Sequence, residues 1–157
     1  MRADIKNRDT VQRILSHDSV FFSASDDGIK NEGDLSSAIL SDPRYICLLP
    51  DENALFLFAP VNHITYEMHV AIIEGAARKK GRNYAVESAR WIFKNTPCRK
   101  IITYIPDYHQ RSIMYAKVCG MEEQCRISDS FLKEGKLHGM VLLSAGKDKF
   151  IQLHGEV

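Results

Sequence analysis

The chain has 157 residues, of which 21 are Lys or Arg and 20 are Asp or Glu, so its formal net charge is +1. This length favours one domain with its own hydrophobic core. The near-zero charge argues against a protein that coats nucleic acid, because such domains usually carry a large basic excess. No stretch reaches the roughly 18 uncharged apolar residues of a membrane span. We therefore expect a cytoplasmic protein with a single domain over residues 1–157 and no membrane partner.

The first part of the chain is predicted to be mostly helical. Val11, Ile14 and Leu15 give residues 4–16 a narrow apolar helix face. Residues 18–24 are predicted to form a short strand, and a short helix over 34–41 should end before Pro43. We treat residues 1–44 as an N-terminal helical region ahead of the core.

The middle of the chain is predicted to form strands. Apolar runs at 45–50 and 54–60, separated by a turn-like segment, predict a hairpin. A third strand over 64–73 places Glu67 and His69 on one face by alternation. A helix over 82–94 and a strand over 100–105 follow, and a helical crossover of this length makes that strand parallel to the third.

A second helix and a closing hairpin complete the predicted domain. Asp107 and Gln110 match the spacing of a capping box, and Gly120 is placed to end the helix. Strands are predicted at 121–127 and 137–144. The order predicts an α+β domain with a mixed, mostly antiparallel sheet, built around a central parallel strand-helix-strand unit and flanked by helices.

A basic cluster surrounds Gly81, where the third strand gives way to a helix. The helix N-terminus already carries partial positive charge, so each added cation is unfavourable there by a few tenths to about 1 kcal/mol. A bound anion would remove this conflict, because free backbone N–H groups, a glycine and basic side chains together make a phosphate site. A solvated basic loop is the alternative on these residues alone. The four cations are Arg78, Lys79, Lys80 and Arg82.

Two short motifs lie in register with the predicted elements. Residues 78–83 read Arg-Lys-Lys-Gly-Arg-Asn, and residues 109–112 read His-Gln-Arg-Ser ahead of Gly120-Met121. They resemble the GNAT acyltransferase superfamily, whose loop Gln/Arg-x-x-Gly-x-Gly/Ala wraps the pyrophosphate of acetyl-coenzyme A and whose Asn-x-x-Ala/Ser precedes Gly-Phe at the same spacing. The resemblance covers residues 45–145 and implies a GNAT-like fold with acetyl-coenzyme A as co-substrate. The coenzyme contacts that it implies are Ile72, Ile73, Arg78, Lys79, Lys80, Gly81, Arg82, Asn83, His109 and Ser112.

Candidate catalytic residues follow from the same resemblance. Glu67 lies where some amine-acetylating members carry a general-base glutamate, and His69 follows on the same face. A base is needed because an ammonium group must lose its proton before it attacks a thioester. Tyr115 is the candidate acid, one residue before Ala116, which occupies the family's usual tyrosine position. The alternative for Glu67 and His69 is that they face solvent on a half-covered sheet.

The resemblance implies direct transfer of an acetyl group to an amine acceptor that no motif identifies. The parting between the third strand and the 100–105 strand would hold pantetheine, with backbone N–H groups near Ala71 and Ile73 polarising the thioester carbonyl. A homodimer is one expected oligomeric state, and neither a metal site nor a nucleic-acid partner is predicted. The alternative function is a GNAT-shaped binding or assembly factor without turnover. The chain also resembles small GNAT-like proteins encoded among the head-assembly genes of short-tailed phages, which would place such a phage protein in the host cytoplasm.

Overall fold

The computed structural model describes residues 7–29, 31–73, 75 and 80–157. None of the helices in this described part of the chain is both long and apolar enough to cross a membrane. In chain order the elements are α1 (Arg8–Leu15), α2 (Asp18–Ala24), α3 (Glu32–Ser41), β1 (Ile46–Asp51), β2 (Ala54–Pro60), β3 (Thr65–Ile72), α4 (Gly81–Asn95), β4 (Lys100–Pro106), α5 (Gln110–Val118), β5 (Glu122–Lys133), β6 (Lys136–Gly146) and α6 (Lys147–His154).

The strands form one mixed sheet in the order β1-β2-β3-β4-β6-β5. Neighbouring strands are antiparallel except β3 and β4, which are parallel and joined through α4. A parallel pair needs such a crossover, whereas the antiparallel pairs can be joined by short turns. The predicted α+β class and the predicted parallel unit are both confirmed.

Helices cover both faces of the sheet. Alternation along β2 sends Leu55 to one face, where it packs with Val11 and Val20 from α1 and α2. Phe56 faces the other way and belongs to a larger core that includes Phe93 from α4. Five consecutive residues of β2 are buried, which is the pattern of a strand that is covered on both sides.

Residues 18–24 form the helix α2, so the prediction of a strand there is wrong. The imidazole of His17 accepts a hydrogen bond from the Ser19 N–H at the helix start. The Ser23 hydroxyl bonds back to the Val20 carbonyl at 2.9 Å, and Val20 is the buried residue of the helix. Local side-chain hydrogen bonds and one buried residue therefore determine the conformation of this segment. The segment is too short for a helical periodicity of apolar residues to be visible in its sequence.

The start of α5 also differs from the prediction. The residue before the helix is His109, whose side chain makes no capping bond. The Asp107 carboxylate instead accepts from the Gly139 N–H at 3.1 Å, and the Gln110 amide donates to the Asp107 carbonyl at 2.6 Å. The predicted capping box is therefore wrong, because the Asp107 carboxylate bonds to the backbone of β6 and not to the first turn of α5.

The C-terminal part contains more regular structure than predicted. Strands β5 and β6 extend to the turn at residues 134–135, and α6 was not predicted. Arg90 of α4 holds the end of α6, donating to the His154 carbonyl at 2.8 Å. This long-range contact, together with the burial of Phe150 against Phe93, stabilises a helix of only eight residues.

Candidate functional site

Strands β3 and β4 run side by side for only three residue pairs and then separate. Residues 65–67 pair with residues 100–102, whereas β3 continues to Ile72 and β4 to Pro106. On their outer sides both strands stay paired, β3 with β2 and β4 with β6. The separation therefore opens a gap inside the sheet, which we call the strand gap.

Alternate residues of β3 turn their backbone groups toward the strand gap. At one end of β3 the Val61 N–H donates to the Thr65 carbonyl, and beyond the other end the Ile73 N–H donates to the Asn53 carbonyl at 3.0 Å. Because hydrogen bonding alternates along an antiparallel pair, the odd-numbered residues between them bond to β2. Met68 follows the last pair directly, so the even-numbered residues that lie further along β3 and face the gap are Val70 and Ile72.

This alternation corrects the predicted thioester contact. The amide of Ile73 is already bonded to β2, and Ala71 lies on the same alternation, opposite Leu55. Neither N–H group is free to polarise a carbonyl in the strand gap. The side-chain pattern predicted the strand, but the direction of its backbone groups depends on the register with β2.

A cavity of about 510 Å³ occupies the strand gap and reaches both faces of the sheet. On one face it is walled by α4 and α5, and on the other by α2 with the β5–β6 hairpin. The predicted residues that it brings together are Glu67, His69, Ile72, His109, Ser112 and Tyr115.

Glu67 and His69 lie at the point where the strands diverge. The Nε2 atom of His69 is 3.3 Å from Oε1 of Glu67, and the two side chains are 54% and 26% exposed respectively. Both line the cavity on the face that α1 and α2 cover. The prediction that they share a face is confirmed, and the pair can take up a proton from a group held in the cavity.

Tyr115 lies in the cavity wall, and its hydroxyl already makes a hydrogen bond within the protein. It donates to the Gly81 carbonyl at 2.6 Å, and burial raises the pKa of the phenol far above its usual range. The hydroxyl therefore stays protonated at neutral pH, with its proton directed at the first residue of α4. Ala116, at the position of the family's usual tyrosine, is buried beside it.

The N-terminus of α4 has no side-chain cap among the residues that the structure describes. Lys80 precedes the helix, whose first turn contains no acidic residue. The first intrahelical bond runs from the Tyr84 N–H to the Lys80 carbonyl. The three preceding N–H groups, those of Gly81, Arg82 and Asn83, therefore have no partner within the helix. Of the predicted phosphate ligands, Arg78 and Lys79 lie outside the described residues.

His109 lies at the far end of β4, beside α2. Its Nε2 atom is buried and has no hydrogen-bond partner among the residues that the structure describes. Burial lowers the pKa of the imidazole, although a bond with the Ser23 backbone opposes that effect. The ring centroid lies 4.4 Å from that of Tyr108. The ring lines the cavity, and its Nε2 atom has no partner among the described residues.

Part of the cavity wall was not found from the sequence. It comes from α2, which was predicted as a strand, and from the β5–β6 hairpin, in which no motif marks these positions. They are apolar or small residues that long-range packing brings to the gap, so no local signal could have identified them. These residues are Val20, Ser23, Ala24, Phe131 and Met140.

The solved structures that share this fold include N-acetyltransferases. Spermidine N-acetyltransferase from Vibrio cholerae, solved in complex with CoA and spermine, matches with a TM-score of 0.77 and 11% identity over 96% of each chain. A putative phosphinothricin N-acetyltransferase matches with a TM-score of 0.71 and 18% identity over 93% of this chain and 96% of that one. The sequence matches no family model and no curated protein significantly. The chain therefore has the GNAT fold, as the motifs predicted.

Proposed function

We propose that this protein binds acetyl-coenzyme A and transfers its acetyl group to a primary amine. The observation that carries the proposal is the cavity in the strand gap, which extends from Glu67 and His69 to Tyr115, the residue bonded to Gly81 at the basic start of α4. Of the solved neighbours named above, one is a spermidine N-acetyltransferase solved with CoA, and the other is named as a putative N-acetyltransferase. An acetyl-coenzyme A reaction also fits the cytoplasmic location expected from the sequence.

The coenzyme fits this arrangement in two parts. Its pyrophosphate would bind the free N–H groups at the start of α4, with the exposed cations Lys80 and Arg82 neutralising its charge. Pantetheine would lie in the strand gap, pairing its amides with backbone groups of the separated strands. The thioester carbonyl would accept from the N–H of Val70 or Ile72, which polarises it toward attack.

The transfer step uses Glu67 and His69 as the proton acceptor. The pair takes a proton from the acceptor's ammonium group, which frees the nitrogen lone pair. That nitrogen attacks the thioester carbonyl carbon and forms a C–N bond. The nitrogen then releases its second proton to solvent, the C–S bond breaks, and the sulfur leaves as a thiolate that takes a proton from solvent. Tyr115, whose proton is held by Gly81, positions α4 in this scheme.

Calorimetric titration with acetyl-coenzyme A tests the proposal directly. We expect binding in the micromolar range, weakened about tenfold or more in Arg82→Ala, because a charge-assisted phosphate bond contributes about 1.5–3 kcal/mol. Arg8→Ala, at an exposed position on α1, is the matched control and should bind as the wild type does. Absence of binding at millimolar ligand, or an equal loss in the control, would contradict the proposal.

A further inference from the structure

The α2 side of the strand gap contains few charged groups. Val20 and Ala24 of α2, Phe131 of β5 and Met140 of β6 line this part of the cavity. Among the described residues that line the whole cavity, Glu67 is the only carboxylate. If the proposed function holds, this apolar region faces the acceptor, with Glu67 beside the amine that reacts.

This lining discriminates between classes of amine. A polyamine would bring further ammonium groups into an apolar wall, where an unpaired charge is strongly unfavourable. An amino acid would bring a carboxylate, for which the cation in the cavity wall is Arg111, an exposed residue in the first turn of α5. A single amine on an apolar body requires one carboxylate and an apolar wall, which is what the described residues supply.

His109 indicates that the apolar body of the acceptor also carries one polar group. Its side chain lines the cavity, and its Nε2 atom is buried without a partner among the described residues. Leaving such an atom unpaired is unfavourable, and a ligand group that bonds to it removes that penalty. We propose that the acceptor is a primary monoamine with an apolar body that ends in a hydroxyl group, and that the hydroxyl bonds to His109. The proposal rests on the proposed acetyl transfer.

Four amines that differ in one feature at a time test this inference. Tyramine has the amine, the apolar ring and the hydroxyl, whereas phenethylamine lacks the hydroxyl, tyrosine adds a carboxylate and spermidine adds ammonium groups. Thiol release from acetyl-coenzyme A gives kcat/KM for each amine. We expect tyramine to exceed phenethylamine about tenfold, the value of one hydrogen bond, and to exceed tyrosine and spermidine by more.

His109→Phe isolates the hydroxyl contact. The substitution keeps an aromatic ring beside Tyr108 and removes the ring nitrogen, so the ratio of kcat/KM for tyramine over phenethylamine should fall to about one. Circular dichroism and acetyl-coenzyme A titration of the variant report its folding separately, and His109→Gln, which keeps a polar group, should retain part of the ratio.

The outcomes separate this inference from the proposed function. Failure to bind acetyl-coenzyme A removes the proposed function and the inference with it. Binding of acetyl-coenzyme A overturns the inference alone in any of three cases: spermidine or tyrosine is the preferred acceptor, none of the four amines releases thiol, or the tyramine ratio is the same in His109→Phe.

Discussion

Tyr115 shows how the rotation of one helix position changes the role of a side chain. It lies one residue before the position of the family's tyrosine, and one residue corresponds to about 100° of helix rotation. Its hydroxyl bonds to Gly81, where it fixes the first turn of α4. The phenol therefore joins two helices instead of directing its proton into the strand gap.

Replacing Tyr115 by Phe separates positioning from acid catalysis. Loss of one hydrogen bond to the start of α4 should raise KM for acetyl-coenzyme A about five- to tenfold, with kcat changed much less. Steady-state kinetics over a range of pH measures both. A general acid would show a different result, with kcat reduced about a hundredfold or more and the alkaline limb of its pH profile altered.

In the proposed mechanism, the transfer step depends most on Glu67. In Glu67→Gln the side chain keeps its shape but cannot take a proton, so kcat should fall at least about tenfold, while acetyl-coenzyme A binds as before. His69→Asn should lower kcat in the same direction because its ring lies 3.3 Å from the carboxylate. Thiol release gives the rates.

Matched variants control for the loss of a charge or an imidazole elsewhere. Glu52→Gln and His63→Asn change exposed residues in the turns on either side of β2, and both should keep the wild-type rate. Unchanged rates in both Glu67→Gln and His69→Asn would refute the assignment of the base.

The elements that were predicted correctly from the sequence are those with a clear pattern of apolar residues and clear ends. The apolar run of β2 and the apolar stripe of α4 are local patterns, and both elements were predicted correctly. Helix α2 is too short for hydrophobic periodicity to show it, and helix α6 depends on contacts with distant residues, so the pattern of apolar residues could not predict either. The direction of the Ile73 amide likewise depends on pairing with β2, which no single strand encodes.

The junction of α5 and β5 is held by a three-member ion cluster. The Glu123 carboxylate lies 2.8 Å from the Lys117 ammonium and 2.7 Å from the Arg126 guanidinium. Hydrogen bonds from Arg126 and then Lys117 lower the pKa of Glu123 to about 2 from an ordinary value of 4.5. The carboxylate therefore favours the folded state whenever it is ionised.

This junction predicts a sensitivity to acid. A carboxyl group with a lowered folded-state pKa stabilises the fold above its unfolded pKa, and that contribution disappears as pH falls from about 4.5 to about 2. The melting temperature of Glu123→Gln should therefore drop less than that of the wild type across this window. Thermal unfolding at several pH values measures it. Glu134→Gln, in the exposed β5–β6 turn, should follow the wild type, and parallel curves for all three proteins would contradict the prediction.

At the scale of the whole molecule, hydrogen bonds connect the N-terminal helical region to the β5–β6 hairpin. Each carboxylate oxygen of Asp27 accepts a backbone N–H from the β5–β6 turn, from Glu134 and Gly135, at 2.8 Å. The Lys133 ammonium donates to the Ser25 carbonyl at 2.7 Å. These bonds hold α2 over the apolar side of the cavity, although more than 100 residues separate the two segments in the chain.

Removing the hydrogen bonds between Asp27 and the β5–β6 turn should affect only the acceptor side of the site. Asp27→Ala removes both turn contacts, so KM for the amine should rise severalfold while KM for acetyl-coenzyme A stays unchanged. Kinetics with each substrate varied in turn distinguishes the two values. Asp9→Ala, on an exposed position of α1, is the control. Equal shifts in both KM values would mean that the bonds support the fold as a whole.

In the strand gap, the sheet lacks a short series of backbone hydrogen bonds between β3 and β4. A bound coenzyme would supply the missing hydrogen-bond partners. Amide hydrogen exchange can detect this, because its protection follows hydrogen bonds residue by residue. In β3, His69 and Ala71 bond to β2 and should exchange slowly with or without ligand, whereas Val70 and Ile72 should become slow only when acetyl-coenzyme A is bound. An every-second-residue pattern would show pantetheine acting as a substitute strand, and uniform slowing would show general stiffening instead.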